Sequence, residues 1–212
     1  MPSNADKPSL RRPVGILYEH PEWFTPLFAE LERRAIPYER IRADRLSYDP
    51  AVTELDYSLV VNRMSPSSWL RESGAAIFST LNFLSYLDDI GMPVINGTTS
   101  YLHEISKARQ LRILEELDAA HPRARVINHA DQAVAAAEGL AYPVLVKPNV
   151  GGSGAGIVSF DTPEDLEVGA GNGKLEFGPD HTALVQEYLP ADGDAIVRVE
   201  YLNGENLYAI RM

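Results

Sequence analysis

The stretch that decides the fold covers residues 142–160 and reads YPVLVKPNVGGSGAGIVSF. A short apolar run that favours a strand ends in Lys147, a glycine cluster spans 151–156, and a second strand-like run covers 157–160. Glycines let backbone N–H groups approach an anion closely, and a lysine at a strand end adds a positive charge. The pattern therefore predicts a flap over the phosphates of a nucleotide. The alternative is a glycine-rich hairpin with a surface lysine.

Two better-known glycine motifs do not fit this stretch. A P-loop needs G-x-x-x-x-G-K-[ST] before a helix, whereas Gly156 is followed by Ile157 and Val158. A dinucleotide-binding turn needs G-x-G-x-x-G at the start of a helix, and here G-x-G-x-G runs into β-branched residues. The flap therefore belongs to another class of phosphate site.

Composition limits the function further. With 212 residues, 45% of them hydrophobic and 23% charged, the chain is long enough for two domains with cores of their own. The net charge of -11 argues against general binding to nucleic acid or to membrane surfaces, which requires basic patches. The absence of cysteine excludes disulfides, thiolate metal sites and a cysteine nucleophile. No segment resembles a signal peptide or a membrane span, so we expect a cytoplasmic protein.

Residues 1–12 are polar and predict a flexible tail, and residues 13–97 predict a first domain. Strands at 14–18, 38–41, 57–61 and 93–95 alternate with helices at 22–34 and 77–90, which predicts a parallel sheet covered by helices. Arg63 directly follows one of these strands, where ligands of such sheets bind, and its guanidinium could grip a carboxylate or phosphate. The alternative is a solvated or salt-bridged arginine.

The rest of the chain predicts a small α+β lobe and a hairpin. A helix over 98–117 carries Lys107, a helical lysine whose alternative role is a solvated surface charge. A strand at 125–127 and a helix at 131–139 precede the flap, and Thr162 or Asp161 is expected to cap the next helix. A glycine-rich loop over 169–178 leads to a strand at 183–186 and to a proline-marked hinge at 187–190. Strands at 198–202 and 206–210 then turn at Asn203-Gly204.

Taken in this order, Lys107, Lys147, the flap, the hinge Gln186-Glu187-Tyr188-Leu189 and Arg198 resemble the ATP-grasp superfamily. The similarity is closest to the branch of ribosomal-protein-S6 glutamate ligase and glutathione synthetase. It implies an α/β fold with a Rossmann-like pre-ATP-grasp domain at 13–97 and an incomplete α+β ATP-grasp domain after it. The latter divides into a lid subdomain at 98–184 and the start of a C-terminal subdomain at 185–212.

The resemblance also implies roles for individual positions. Both lysines contact the phosphates of ATP, and the hinge holds adenine through the Glu187 carboxylate and the backbone of Tyr188 and Leu189. The acid that binds ribose in this branch stands two residues before Arg198, where this chain has Ile196, so Asp194 is the candidate instead. The flap residues expected to close over ATP are Gly151, Gly152, Ser153, Gly154, Ala155 and Gly156, and the expected substrate-binding arginines are Arg63, Arg198 and Arg211.

The family's magnesium ligands are an Asp or Glu and a Glu-x-Asn pair downstream of the hairpin, and no Glu-x-Asn occurs in this chain. The five histidines show no metal-ligand spacing either. We therefore expect the ATP-binding portion of an ATP-dependent carboxylate–amine or carboxylate–thiol ligase that acts through an acyl phosphate and ends before its metal site. Such a fragment would be inactive alone, and no catalytic residue is assigned to it. Two alternatives are a non-catalytic nucleotide-binding or interaction module and a split enzyme; a homo-oligomer is compatible with each.

Overall fold

The computed structural model describes residues 12–191, 193 and 195–212, which form two α/β lobes followed by a hairpin. All of the predicted tail except Arg12 therefore lies outside the described residues, as does Asp194. Among the described residues, no helix is long and apolar enough to cross a membrane.

The first lobe contains a parallel sheet, as the alternation of strand and helix predicts. Its strands are β1 (Val14–Tyr18), β2 (Tyr38–Arg42), β3 (Leu59–Asn62) and β4 (Val94–Ile95), in the order β2-β1-β3-β4. Helices α1 (Thr25–Arg33) and α2 (Gly74–Asp89) connect them, and a 3-10 helix covers Pro66–Arg71. The carboxyl ends of β1, β3 and β4 therefore meet at one edge of the sheet.

Each face of this sheet is covered by apolar side chains. Ile16 and Tyr18 of β1 pack with Phe24 and Phe28 on one face. On the other face, Leu17 and Val60 belong to a larger cluster with α2 residues such as Ile77, Leu84 and Leu87. Because successive side chains of a strand point to opposite faces, the uninterrupted apolar run of β1 matches a strand that is buried on both.

The helix predicted over 98–117 is two helices, α3 (Thr98–Glu104) and α4 (Lys107–Glu116). The break occurs because Ser106 adopts an extended conformation and its Oγ accepts a hydrogen bond from the Arg109 N–H, which caps α4. The prediction of one helix was therefore wrong, and the correction places Lys107 on the first turn of α4 rather than in the middle of a helix.

The second lobe contains an antiparallel sheet, which we call the lid sheet. Its strands are β5 (Ala124–Ile127), β6 (Val144–Pro148), β7 (Val158–Phe160) and β8 (Ala183–Glu187), in the order β5-β8-β6-β7. The predicted helix at 131–139 is shorter, a 3-10 turn over Ala130–Gln132 and then α5 (Ala133–Ala136). Helix α6 (Pro163–Gly171) begins at the Thr162 cap, as expected, and shortens the predicted loop at its start.

The described chain ends in an antiparallel hairpin of β9 (Val197–Leu202) and β10 (Glu205–Arg211), as the Asn203-Gly204 turn predicts. Its large apolar side chains, which include Val197, Tyr201 and Tyr208, are exposed. Among the described residues the two strands pair only with each other.

Candidate functional site

Lys147 lies on the face of the lid sheet that turns away from the lid core. In β6, Val144 and Val146 pack into that core with Ala183 and Val185 of β8. The side chains of alternate residues therefore point the other way. They are Leu145 and Lys147 on β6, and, by register, their partners Gln186 and Leu184 on β8. We call these four side chains the second face of the lid sheet.

The Lys147 ammonium is a partly buried charge to which the described residues offer no hydrogen bond or ion pair. Burial, together with the nearby positive charge of Lys107, lowers the pKa of Lys147 to about 8. An anion placed between the two lysines would relieve both effects, because it would pair with charge that is only partly solvated. The second face therefore has a positive charge that an anion could pair with.

Lys107 is held at the start of the flap. Its Nζ donates to the carbonyl oxygens of Pro148 at 2.9 Å, Asn149 at 3.2 Å and Gly151 at 3.2 Å. Burial lowers the pKa of Lys107, and the negative charge of Asp180 partly opposes that shift. A lysine with three carbonyl partners at the root of the flap is not the solvated surface charge that was the alternative.

The side chain of Asn149 holds the first turn of α4 against the end of β6. Its Oδ1 accepts from Ser106 Oγ at 3.1 Å and from the Ala108 N–H at 3.0 Å, and its Nδ2 donates to Asp180 Oδ2 at 2.7 Å. Because Asn149 is buried, these hydrogen bonds are stronger than they would be in water and stabilise the contact between α4 and the end of β6. The network sets where the Lys107 ammonium lies relative to Lys147.

The flap leaves β6 as a glycine-rich loop with free backbone donors. Gly151, Gly154 and Gly156 have φ angles of 149°, 74° and 69°, which glycine adopts without strain. Among the described residues, Ala155 is the one flap position from 151 to 156 whose N–H makes a backbone hydrogen bond, to Gly152 at 3.2 Å. The remaining N–H groups of the flap can bind an anion, as successive backbone donors in turns do.

Two groups of the hinge that were expected to contact adenine, the Glu187 carboxylate and the Tyr188 backbone N–H, have partners within the protein. The Glu187 Oε1 accepts from Arg123 Nε at 2.9 Å and from the Ala141 N–H at 2.8 Å. The Arg123 hydrogen bond, and then that of Ala141, lower the pKa of the Glu187 carboxyl. The Tyr188 N–H also has a partner, the Pro143 carbonyl at 2.9 Å. The Glu187 carboxylate therefore holds the lobe together on the core side of β8.

Gln186 was placed in the hinge by the sequence, but no ligand contact was expected of it. It is 8% exposed and lies on the second face, where its Oε1 is buried without a hydrogen bond from the described residues. A buried acceptor with no donor costs free energy unless a ligand supplies one. The alternation of side chains in β8 could have shown that Gln186 points away from Ala183 and Val185, which are apolar. It could not have shown that Gln186 shares a face with Lys147, because that depends on the register of β8 with β6.

The three expected substrate arginines occupy different surroundings. Arg198 Nε lies 2.5 Å from Glu200 Oε1, and Arg211 Nη2 donates to the Gly193 carbonyl at 3.3 Å. Arg63 is exposed, has no ion-pair partner among the described residues, and places its Cζ 5.6 Å from the Phe24 ring centre. Arg63 and Arg198 line one cavity of about 490 Å³, to which Arg211 does not contribute.

That cavity, which we call the edge pocket, lies at the carboxyl ends of the parallel strands. Asn62 and Asn96 form its base, each donating its side-chain amide to the other's carbonyl oxygen, at 3.0 and 3.1 Å. The complete lining is Trp23, Phe24, Asn62, Arg63, Met64, Ser65, Asn96, Ser100, Tyr101, Glu104 and Arg198. Ligands of open α/β sheets bind at this edge.

The described residues do not form a site that could hold magnesium. No group of three or more His, Asp or Glu side chains there could hold a metal ion. We therefore derive no step through a metal.

Comparison with known families places residues 104–190 in a model described as the carbamoyl-phosphate synthase L chain, ATP binding domain. A curated relative, the arginine-specific large chain of carbamoyl phosphate synthase from Geobacillus stearothermophilus, is 29% identical over 119 residues. That match covers 55% of this chain but only 11% of the relative.

Solved structures show the same fold. The RimK domain protein ATP-grasp from Sphaerobacter thermophilus superposes with a TM-score of 0.66 and 20% identity, over 88% of this chain and 68% of that one. D-alanyl-alanine synthetase A from Vibrio cholerae gives a TM-score of 0.61 and 14% identity, over 93% and 65%. The chain therefore has an α/β ATP-grasp fold that is incomplete relative to these structures, and its match to the model over 104–190 supports ATP as a ligand.

Proposed function

We propose that this chain is the ATP-binding part of an ATP-dependent ligase of the ATP-grasp superfamily. The observation that carries the proposal is the partly buried ammonium of Lys147, with which no described residue pairs, close enough to Lys107 at the start of the glycine flap to feel its charge. The match of residues 104–190 to an ATP-binding domain supports the choice of nucleotide. The branch of ribosomal-protein-S6 glutamate ligase and glutathione synthetase remains our more specific proposal, and the order of Lys107, Lys147, flap and hinge in the sequence supports it.

In this proposal each group has one task. Lys147 and Lys107 bind phosphate oxygens, and the free N–H groups of the flap, from Gly151 to Gly156, add donors above them. Gln186 Oε1 accepts a hydrogen bond from the adenine amine, which supplies its missing donor. The backbone of Leu189 contacts the ring edge, and the Glu187 carboxylate stays with Arg123.

The reaction that suits this arrangement is carboxylate activation. A carboxylate oxygen attacks the γ-phosphorus, the bond from that phosphorus to the bridging oxygen breaks, and ADP leaves with the electron pair. An amine or thiol then attacks the acyl carbon, and phosphate departs. The lysines hold and orient the phosphates and neutralise charge that develops on the transferred group, and the flap excludes water. In the family, magnesium supplies further charge stabilisation when it is bound.

Calorimetric titration of the protein with AMP-PNP and, separately, with AMP tests this proposal. Because the proposed contacts are concentrated on the phosphate chain, AMP-PNP should bind more tightly than AMP by about tenfold or more. Equal affinity for the two nucleotides would contradict a phosphate site under the flap, and no binding of either would overturn ATP as the ligand.

Turnover distinguishes a ligase from the non-catalytic module. The natural full-length protein should release ADP in the presence of its carboxylate substrate and should form a hydroxamate when hydroxylamine traps the acyl phosphate. Tight AMP-PNP binding without ADP release or hydroxamate, across a broad panel of carboxylates, would favour the module.

A further inference from the structure

We propose that Trp69 is a positioning residue of the flap. When Lys107 binds the phosphates of a nucleotide, the indole N–H of Trp69 takes over the hydrogen bond to the Gly151 carbonyl that the lysine gives up. The inference rests on the proposed function for the ligand that draws Lys107 away, and it deepens that function by naming a residue of the first lobe that responds to the ligand. It is carried by a buried donor without a partner that lies beside the first glycine of the flap.

The indole N–H of Trp69 is buried, and no described residue accepts a hydrogen bond from it. Trp69 lies in the 3-10 helix Pro66–Arg71, and its ring packs against the core cluster of the first lobe. A buried indole N–H normally has an acceptor, because leaving it unpaired costs free energy. In the same cluster, for example, the Tyr101 hydroxyl donates to the Ile77 carbonyl at 3.2 Å. An acceptor that reached the Trp69 N–H would therefore stabilise the protein.

The edge of the indole lies against the start of the flap. A Cβ on Gly151 would lie 3.1 Å from Trp69 Nε1 and 4.0 Å from Lys107 Nζ, so the two donors flank one glycine. Trp69 Nε1 is therefore within about 4.6 Å of the Gly151 Cα, since a C–C bond is about 1.5 Å long. The carbonyl oxygen lies about 2.4 Å from that Cα, so reorienting this peptide group alone can bring it within hydrogen-bond distance of the indole.

Lys107 cannot contact a phosphate and keep all its present partners. An ammonium group has three N–H donors, and those of Lys107 go to the carbonyl oxygens of Pro148, Asn149 and Gly151. A phosphate oxygen that binds Nζ therefore takes a donor from at least one of these carbonyls. The bond to Pro148, at 2.9 Å, is the shortest of the three, and we expect it to be kept.

Hydrogen-bond pairing favours release of the Gly151 carbonyl. The Asn149 carbonyl accepts a second hydrogen bond, from the backbone N–H of Lys107 at 3.3 Å, whereas the described residues offer Gly151 no second donor. If Lys107 released Asn149, that carbonyl would keep a partner but the Trp69 N–H would stay unpaired. If Lys107 releases Gly151, the indole N–H and the carbonyl pair with each other. Exchange at Gly151 therefore leaves none of these groups unpaired.

Trp69 then contributes to nucleotide affinity without contacting the ligand. In the free protein its unpaired N–H raises the free energy, and in the bound protein the same N–H is paired, so the difference favours binding. The alternative is that Trp69 acts by packing alone. A phenylalanine would then serve nearly as well, because packing does not need the N–H group.

Affinity measurements separate the two roles. Trp69→Phe keeps an aromatic ring but lacks the N–H, and it should weaken AMP-PNP binding about threefold to tenfold in calorimetry, the effect of one neutral hydrogen bond. In a Lys107→Met background the same change should leave affinity unaltered, because the indole is then paired with Gly151 in both states. The control Tyr57→Phe removes a donor to Glu39 in the same lobe and should bind as wild type does. An equal loss in both backgrounds, or no loss in either, would contradict the exchange.

The indole N–H can also be observed directly by proton–nitrogen NMR of the 212-residue protein. The chain has two tryptophans, so Trp23→Phe assigns the remaining indole signal to Trp69. Without any nucleotide, Lys107→Met should move the Trp69 indole proton downfield, because Gly151 has lost its lysine donor, and the control Lys174→Met should not. An unmoved signal would overturn the inference.

AMP-PNP should move the same proton downfield in the wild-type protein. If calorimetry shows that AMP-PNP binds and the Trp69 signal does not move, the inference fails and the proposed function stands. If Lys107→Met moves the signal but no nucleotide binds, the indole does take over the Gly151 carbonyl and the proposed function fails. The two failures therefore give different results.

Discussion

Gln186 and Glu187 are neighbours in the hinge, but their side chains have different surroundings. They point to opposite faces of β8, because side chains alternate along a strand. Glu187 faces the core side and pairs with Arg123 and Ala141, whereas Gln186 shares a face with Lys147, and no described residue donates a hydrogen bond to its Oε1. The adenine contact expected of the Glu187 carboxylate stays a prediction, and Gln186 is our proposed alternative.

Replacing Gln186 tests this division. Gln186→Leu should weaken AMP-PNP binding about tenfold, because one buried hydrogen bond to the ligand is lost. The same change should leave the free energy of unfolding of the apoprotein unchanged or raise it, since it removes a buried acceptor without a partner. Calorimetry and thermal denaturation measure the two effects.

Glu187→Gln is the matched control for this change and should give the reverse result. It weakens the contact with Arg123 and so lowers stability, but nucleotide affinity should stay the same. If Glu187→Gln lost nucleotide affinity and Gln186→Leu did not, the Glu187 carboxylate rather than Gln186 would be the adenine contact.

The charge state of Lys147 predicts a pH dependence of nucleotide binding. Burial and then Lys107 lower the pKa of Lys147 to about 8 in the apoprotein, and a bound phosphate raises it again. The nucleotide therefore binds best below that pH and loses affinity as pH rises through about 8, where the free lysine loses its proton. The ratio of wild-type affinity to Lys147→Met affinity should fall between about pH 7 and about pH 9.5, since the ratio cancels titration of the nucleotide itself.

The stability of the apoprotein should change with pH in the opposite direction to nucleotide affinity. A lysine whose folded pKa lies below its usual value destabilises the folded state at low pH, so stability relative to Lys147→Met should rise as pH increases above about 8. A ratio of affinities and a stability difference that do not change with pH would show that the Lys147 ammonium is well solvated, and a stability difference that falls with pH would show that it has a favourable partner in the apoprotein.

The sequence predicted that Lys107 and Lys147 lie near the flap, and in the structure Lys107 contacts the chain at the start of the flap. The side of the hinge that faces the ligand could not be predicted, because it depends on how β8 registers with β6. The roles of these residues in binding, and that of Asp194, stay predictions.

At the scale of elements, the flap depends on glycine to different degrees along its length. Gly154 and Gly156 both have positive φ, but a Cβ on Gly154 would meet nothing within 4 Å. A Cβ on Gly156 would lie 2.8 Å from Pro148 Cγ, a ring that cannot rotate away, and 2.6 Å from Glu176 Oε2. Gly156 is therefore the flap position at which a side chain would be tolerated least.

The two glycines make a matched pair of substitutions. Gly154→Ala should cost about 1–2 kcal/mol of unfolding free energy, from backbone strain alone. Gly156→Ala carries the same strain and, in addition, a steric cost of about 1–3 kcal/mol. Chemical denaturation of both variants measures the difference, and equal stabilities would mean that β6 and the flap root shift easily.

The break between α3 and α4 shows why helix boundaries cannot be predicted from local hydrophobic periodicity alone. Leu102, Ile105, Leu111 and Leu114 continue a helical spacing through the break, so periodicity predicted one helix. The end of α3 is fixed by Ser106 and by Asn149, a residue 43 positions away on the sequence. Strands within apolar runs, such as β1 and β8, were located well because burial alone defines them.

At the scale of the whole molecule, the start of the flap is part of the core of the first lobe. Val150 is 2% exposed and packs in the same cluster as Leu17 of β1 and Ile77 of α2. The domain boundaries at 97 and 184 remain predictions, but this contact shows that the two lobes share buried apolar surface. A substitution at Val150 should therefore also destabilise the sheet of the first lobe.

Val150→Ala tests this coupling. The substitution should lower the free energy of unfolding by about 2–3 kcal/mol, as removal of buried methyl groups does. It should also speed hydrogen exchange of the β1 amides, which lie in the other lobe. The control Val168→Ala, at a side chain that is 58% exposed on α6, should change neither. Faster exchange confined to the lid sheet would mean that the lobes unfold independently.

The most direct test of the account is the affinity of the protein for AMP-PNP, measured by calorimetry in wild type, Lys147→Met and Lys174→Met. Lys174 is an exposed lysine with no ion-pair partner among the described residues, so its variant controls for the loss of one charge. The account predicts that Lys147→Met binds about tenfold to a hundredfold more weakly, since charge-assisted phosphate contacts contribute about 1.5–3 kcal/mol. Lys174→Met should bind as wild type does. Equal affinity in all three proteins would contradict a nucleotide site on the second face of the lid sheet.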